Sequence, residues 1–178
     1  MAIKAIVYLL YQPGSVPSTP SPELVGGENL PSPSTQPSFH MPGSKPAALL
    51  TDGPDVAHGP QIMAWSTDHI PLLHEMDYKN GNLLIQRDGV YYVYSKVHFL
   101  DSGKFYHSLV WFSTAYPRSV TLLTSRKSSP RSNKTTSSTF LGGVFAFHKD
   151  DALHGKVSNT TKIKRLGPFE NVFGAYMI

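Results

Sequence analysis

The sequence predicts an all-β domain over residues 46–178, an antiparallel sandwich or barrel, behind a proline- and serine-rich arm over residues 1–45. From Pro46 onward apolar residues recur with a period of two, the period of a strand whose two faces differ. Between Gly43 and Ile178 no stretch keeps helical periodicity beyond about two turns. Turn-forming residues separate the periodic segments at short intervals, as sandwiches and barrels require.

The arm comes first in the chain. Pro13, Pro17, Pro20, Pro22, Pro31, Pro33, Pro37 and Pro42 alternate with Ser15, Ser18, Ser21, Ser32, Ser34, Ser38 and Ser44. Each proline fixes φ and removes a donor, and too few apolar residues are present to offset the entropy of ordering the segment. It reads as a linker or disordered arm. A polyproline ligand would want Arg or Lys beside a PxxP, and none stands there. Ahead of it, the apolar run Ala5 to Tyr11 is far short of the ~20 residues of a membrane span. Gln12-Pro13-Gly14 supplies no clear small-residue cleavage site. The chain as given is therefore expected to hold neither an anchor nor an export signal.

Within the domain, Gly81 to Gln86 reads as a short strand, Arg87-Asp88-Gly89 as a turn and Val90 to Phe99 as a long strand. His107 to Ser113, Ser119 to Ser125, Thr139 to Phe147 and Val172 to Ile178 are further strands, rich in β-branched or aromatic residues. In Val90 to Phe99, Tyr91, Val93, Ser95, Val97 and Phe99 share one face and suit a sandwich interior. The other face carries Val90, Tyr92 and Tyr94 before turning polar at Lys96 and His98. Three large groups on a nominally wet face predict self-association, since burying each is worth roughly 1.5–3 kcal/mol. Phe140 to Phe147 repeats the pattern: Phe145 and Phe147 lie on one face, Val144 and Ala146 on the other, and Gly142-Gly143 allows a bulge or a close backbone approach. The apolar terminus, Val172 to Ile178, is expected to dock into a sheet.

Composition narrows the chemistry. The 178 residues suit one domain with a real core. Without cysteine there is no disulfide framework, thiolate nucleophile or cysteine-ligated metal. The net charge of +4 is too small to argue for nucleic acid. The eight histidines show no metal-ligand spacing, and His74-Glu75 lacks a zincin's second histidine. GxSxG, Walker and dinucleotide motifs are missing. A β-sandwich hydrolase would need paired carboxylates or a metal cluster. No catalytic residue, cofactor, metal or small-molecule substrate is predicted. Two sequons stand in polar stretches, Asn133-Lys134-Thr135 and Asn159-Thr160-Thr161. Arg118, Arg126, Lys127, Arg131 and Lys134 form an acid-free basic stretch that suits an acidic partner or a sulfated glycan, or is simply a solvated loop.

A series of motifs runs through the domain in order: Lys45-Pro46-Ala47-Ala48-Leu49-Leu50-Thr51, Trp65, Tyr78-Lys79-Asn80-Gly81-Asn82-Leu83-Leu84-Ile85, Gly89 to Val97, Tyr116-Pro117, Phe140-Leu141-Gly142-Gly143-Val144-Phe145 and Phe173 to Ile178. In these, residues 46–178 resemble the homology domain of the tumour necrosis factor ligand family, nearest to its Fas ligand branch. The resemblance implies a jelly-roll β-sandwich of two antiparallel sheets that forms a homotrimer. It implies an extracellular cytokine, secreted or shed from the plasma membrane, that clusters cysteine-rich receptor ectodomains of the tumour necrosis factor receptor family in the grooves between protomers. The outcome would be apoptosis or immune activation.

By the same resemblance Tyr94 and Phe145 point toward the three-fold axis, with Tyr92, Phe140 and Val172 nearby. Tyr116, with Pro117, matches the family's receptor-contacting tyrosine, in a loop between the fourth and fifth main strands. Arg118 would steer the receptor, and the loop Lys127 to Lys134, with Lys127 and Arg131, would be a second contact. Two features depart from the family pattern. The disulfide common in relatives would fall near Lys104 and Ser129, so those loops are expected to be more mobile here. The sequence as given is also expected to hold no membrane anchor of the kind usual in the family. The alternative is a C1q-type adhesion or pattern-recognition jelly-roll, although the arm has no collagen-like Gly-x-x period.

Overall fold

The computed structural model describes residues 43–68, 71–113, 116–132, 134–167 and 169–178, with the backbone alone for Tyr116 and Pro117. The arm read over residues 1–45 thus lies outside the described residues except for Gly43 to Lys45. Ten strands follow in order: β1 Ala47–Thr51, β2 Leu72–His74, β3 Met76–Lys79, β4 Asn82–Ile85, β5 Gly89–Leu100, β6 Gly103–Ser113, β7 Tyr116–Ser129, β8 Thr136–Phe147, β9 Ala152–Val157 and β10 Val172–Met177. They form two five-stranded sheets, ordered β2-β1-β10-β5-β8 and β3-β4-β9-β6-β7, with antiparallel pairing throughout. This is the jelly-roll sandwich that the sequence implied.

The core follows from alternation in the long strands. Tyr91, Val93, Ser95, Val97 and Phe99 of β5 are fully buried. Phe173 and Ala175 of β10 stand opposite Ser95 and Val93 and are buried with them. Phe105 of β6 stacks on Phe99 with ring centroids 3.7 Å apart, and Trp65 lies against Phe173 at 5.7 Å. One polar group crosses the interior. His107 of β6 is fully buried and reaches the other sheet through Ser95 Oγ and Thr139 Oγ1, each at 3.0 Å. Burial lowers its pKa to about 4, so the ring is neutral.

Several elements differ from the sequence expectation. β6 and β7 extend beyond the apolar stretches into one hairpin paired from Gly103↔Ser129 to Ser113↔Tyr116. Tyr116 therefore opens a strand instead of lying in a loop, and Lys127 also lies in β7. Ladder hydrogen bonds carry the pairing through residues such as Lys104 and Ser128, whose side chains give no apolar alternation. Gly142 and Gly143 form no bulge, because the β5–β8 register runs unbroken from Gly89↔Phe147 to Leu100↔Thr136. The irregularities sit instead in the β6–β7 ladder, between Leu109 and Val110 and between Phe112 and Ser113.

Candidate functional site

The outer face of the β2-β1-β10-β5-β8 sheet is built by the residues that alternate with the core. On β5 these are Val90, Tyr92, Tyr94, Lys96 and His98. Opposite Tyr92, Tyr94 and Lys96, β10 presents Tyr176, Gly174 and Val172, while β8 presents Val144, Gly142 and Phe140. Leu49 of β1 faces Gly174, and Leu72 of β2 faces Leu49. Phe140 is 59% exposed and Val144 52%, both on β8, whose other face is half-buried except at buried Leu141 and Phe147. Tyr92 anchors an aromatic group, 6.2 Å from Tyr94 and 5.5 Å from Tyr176 between ring centroids.

Two glycines let the tyrosines lie flat. A Cβ on Gly174 would stand 2.6 Å from Tyr94 Oη and closer still to the Ala48 carbonyl, to which Tyr94 donates its hydroxyl at 3.3 Å. A Cβ on Gly142 would collide with Tyr92 Oη and lie 2.9 Å from its Cζ. Half-burial pushes the Tyr94 pKa up, with a further contribution from neighbouring Tyr176.

Of the five residues assigned to self-association, Tyr92, Tyr94, Phe140 and Val172 share this face. Phe145 does not. It pairs with inward-facing Tyr91 and lies partly buried 6.1 Å from Phe147, near the edge formed by β8 and by half-buried Leu122 and Leu123 of β7. Sequence reasoning missed Tyr176, Tyr92's partner on the outer face, and also Leu49 and Leu72. The signal for Tyr176 was present, since Phe173 and Ala175 alternate with it.

The five residues assigned to receptor contact fall into two groups. Tyr116, Pro117 and Arg118 open β7 at the tip of the β6–β7 hairpin; Arg118 is exposed, and the Tyr116 and Pro117 side chains lie outside the described residues. Lys127 and Arg131 belong to the other end. At ~3.3 Å per residue, the length of β7 separates these groups by roughly 40 Å. Arg126, also on β7, stacks its guanidinium over the Tyr106 ring at 5.7 Å.

At the Lys127 end, a polar knot ties together the segments near which the resemblance puts a disulfide. Asp101 is buried, and its carboxylate accepts Ser129 Oγ at 2.5 Å, Ser137 Oγ at 2.8 Å and Lys127 Nζ at 2.9 Å. Its backbone N–H donates to Thr135 at 2.9 Å, and Ser102 Oγ donates to the Arg131 carbonyl at 2.8 Å. The Ser129 hydroxyl first, then Lys127 and Ser137, hold the Asp101 pKa at about 2. Lys127 thus has its charge engaged within the protomer. Arg131 is exposed beside Lys104 and Lys162 around an open hollow of about 620 Å³.

A jelly-roll that exposes a continuous apolar sheet face and a projecting hairpin has the surfaces of a binding protein. Residues 63–178 match the TNF (Tumour Necrosis Factor) family. The chain is 31% identical to lymphotoxin-alpha of Sus scrofa, over 88% of this chain and 86% of that one. It is 27% identical to tumour necrosis factor ligand superfamily member 10 of Mus musculus, over 67% and 48% of the two chains. Against superfamily member 6 of Macaca nemestrina identity is 28%, over 74% and 48%. The chain belongs to the tumour necrosis factor family. It is a receptor-binding cytokine and not an enzyme, which separates it from the C1q-type alternative. Members of this family are secreted or membrane-bound extracellular signals. Among the described residues no helix is long and apolar enough to cross a membrane.

Proposed function

We propose that the chain acts as a homotrimer, each protomer covering the outer face of its neighbour's β2-β1-β10-β5-β8 sheet, and that it clusters cysteine-rich ectodomains of tumour necrosis factor family receptors in the grooves between protomers. The observation that supports this most is the apolar outer face itself, continuous from Leu72 through Tyr176 and Tyr92 to Val144. An edge-to-face contact also gives Phe145 a role: the β7–β8 edge, where it is half-buried, packs on the next protomer's aromatic group. The domain over 46–178 carries these surfaces, preceded by the proline- and serine-rich arm over 1–45. Three equivalent grooves gather receptor chains, and avidity then exceeds the affinity of one site. Death-receptor signalling, ending in apoptosis or immune activation, is the outcome that the superfamily relatives support.

The hairpin tip supplies the receptor anchor in this reading, Tyr116 with Pro117 and Arg118, and Arg131 adds a second basic contact. Sedimentation equilibrium at micromolar concentration is expected to give three protomers, and a folded monomer would reject the assembly. Tyr116→Ala is expected to leave that mass unchanged while weakening capture of receptor ectodomains by about 2 kcal/mol or more. Unchanged affinity rejects the anchor role.

A further inference from the structure

We propose that Asn159 is an N-glycan acceptor, and that its glycan leaves the protein from the end of the β3-β4-β9-β6-β7 sheet, clear of the apolar face that self-associates. Asn159 is exposed and caps the short 3-10 turn Thr160–Lys162, which follows β9. Its Oδ1 accepts both the Thr161 N–H at 2.9 Å and the Thr161 hydroxyl at 2.8 Å. Its Nδ2 has no partner among the described residues, so a sugar attached there displaces no hydrogen bond of the fold.

The middle residue of the sequon does the anchoring. Thr160 is buried and donates its hydroxyl to Gly59 at 2.5 Å and its N–H to Pro60 at 3.2 Å. The residues left facing solvent are the acceptor Asn159 and the hydroxyl-bearing Thr161, the two side chains that define an acceptor sequon. Beside them an open hollow of about 430 Å³, lined in part by Val56, Ala57, Ile163 and Arg165, gives the innermost sugar room.

The donor is an oligosaccharide carried on a lipid diphosphate. The bond from its anomeric carbon to the phosphate oxygen breaks, a C–N bond to Asn159 Nδ2 forms, the lipid diphosphate leaves with the electron pair, and one amide proton passes to a base of the transferring enzyme. The inference rests on the extracellular life of the family. Asn133, the acceptor of the other sequon, lies outside the described residues.

The test uses the full chain directed into the secretory pathway of a mammalian cell by an added cleavable signal peptide, with Asn133→Gln as background so that one sequon remains. One glycan is expected, released by an amidase that leaves aspartate at position 159 in the peptide mass. Asn159→Gln and Thr161→Ala remove it, while Thr161→Ser retains it. The same peptide map on the unsubstituted chain covers the case in which Asn133→Gln fails to fold. Unmodified Asn159 in the folded, secreted protein overturns the acceptor. A glycan at Asn159 that lowers the number of protomers relative to Asn159→Gln overturns its placement clear of the assembly face. Receptor capture by Asn159→Gln is independent of both results and tests the cytokine reading separately.

Discussion

Asp101 and His107 are two polar residues buried for different ends, and pH separates them. Asp101 ties the β5–β6 turn to the end of β7 and the start of β8 through hydroxyl and ammonium donors, a linkage of hydrogen bonds where the family resemblance places a covalent one. Its pKa is depressed from 3.8 to about 2, so its contribution is full above 3.8 and is lost progressively as pH falls from there through 2. His107 acts earlier in an acid titration. Its folded pKa of about 4 lies below the ordinary 6.5, so below 6.5 the unfolded chain takes up a proton that the folded one refuses. Stability is therefore full above pH 6.5 and falls continuously toward pH 4, by about 3 kcal/mol. Urea midpoints measured from pH 7.5 to 4.5 are expected to show this slope, and His107→Gln to flatten it. An unchanged slope in the variant would assign the loss to other groups.

At the scale of elements, the outer face depends on two strands that come close because glycine is present, and the two positions differ in what a methyl group meets. At Gly174 the obstacle is the Ala48 backbone carbonyl, which moves only if β1 moves. At Gly142 it is the free end of the Tyr92 ring, which can rotate away. Gly174→Ala is thus expected to cost about 3 kcal/mol, the upper end of overpacking penalties, and Gly142→Ala about 1 kcal/mol or less. Denaturant melts compare the two. Gly142→Ala has a further signature, weaker association, because the displaced tyrosine belongs to the apolar face.

The same contrast marks what the sequence could reveal. β5, β8 and β10 were legible because each is long, alternates cleanly and carries aromatics, and β5 alone pointed to Tyr92 and Tyr94. β1, β2 and β3 were not read as strands, since three to five residues hold too little of a period. β9 escaped because His154, Gly155 and Lys156 interrupt its apolar pattern. The engagement of Lys127 by Asp101 depends on the pairing of β6 with β7, which the residue types near either end do not specify.

For the whole molecule, the apolar face and the two basic ends of β7 make separable demands on a partner. Val144 sits on the face but is exposed within the protomer, so Val144→Asp is expected to leave the sandwich folded while abolishing its association. Circular dichroism would then match the parent, sedimentation would give one protomer, and the rise of thermal midpoint with protein concentration expected of an associating parent would disappear. On the proposed reading, a receptor spanning the groove would meet Arg118, near the start of β7, and Arg131, just beyond its end, roughly 40 Å apart. Neither shares a partner with the other, and energies at such separation add to within about 0.5 kcal/mol. Arg118→Glu and Arg131→Glu are each expected to weaken receptor capture, mainly by slowing association and most visibly at low salt. Their combined effect should equal the sum of the two. Strong coupling between them would mean that one compact epitope contacts both, which an extended β7 does not permit, whereas additivity is what an elongated receptor lying along the groove requires.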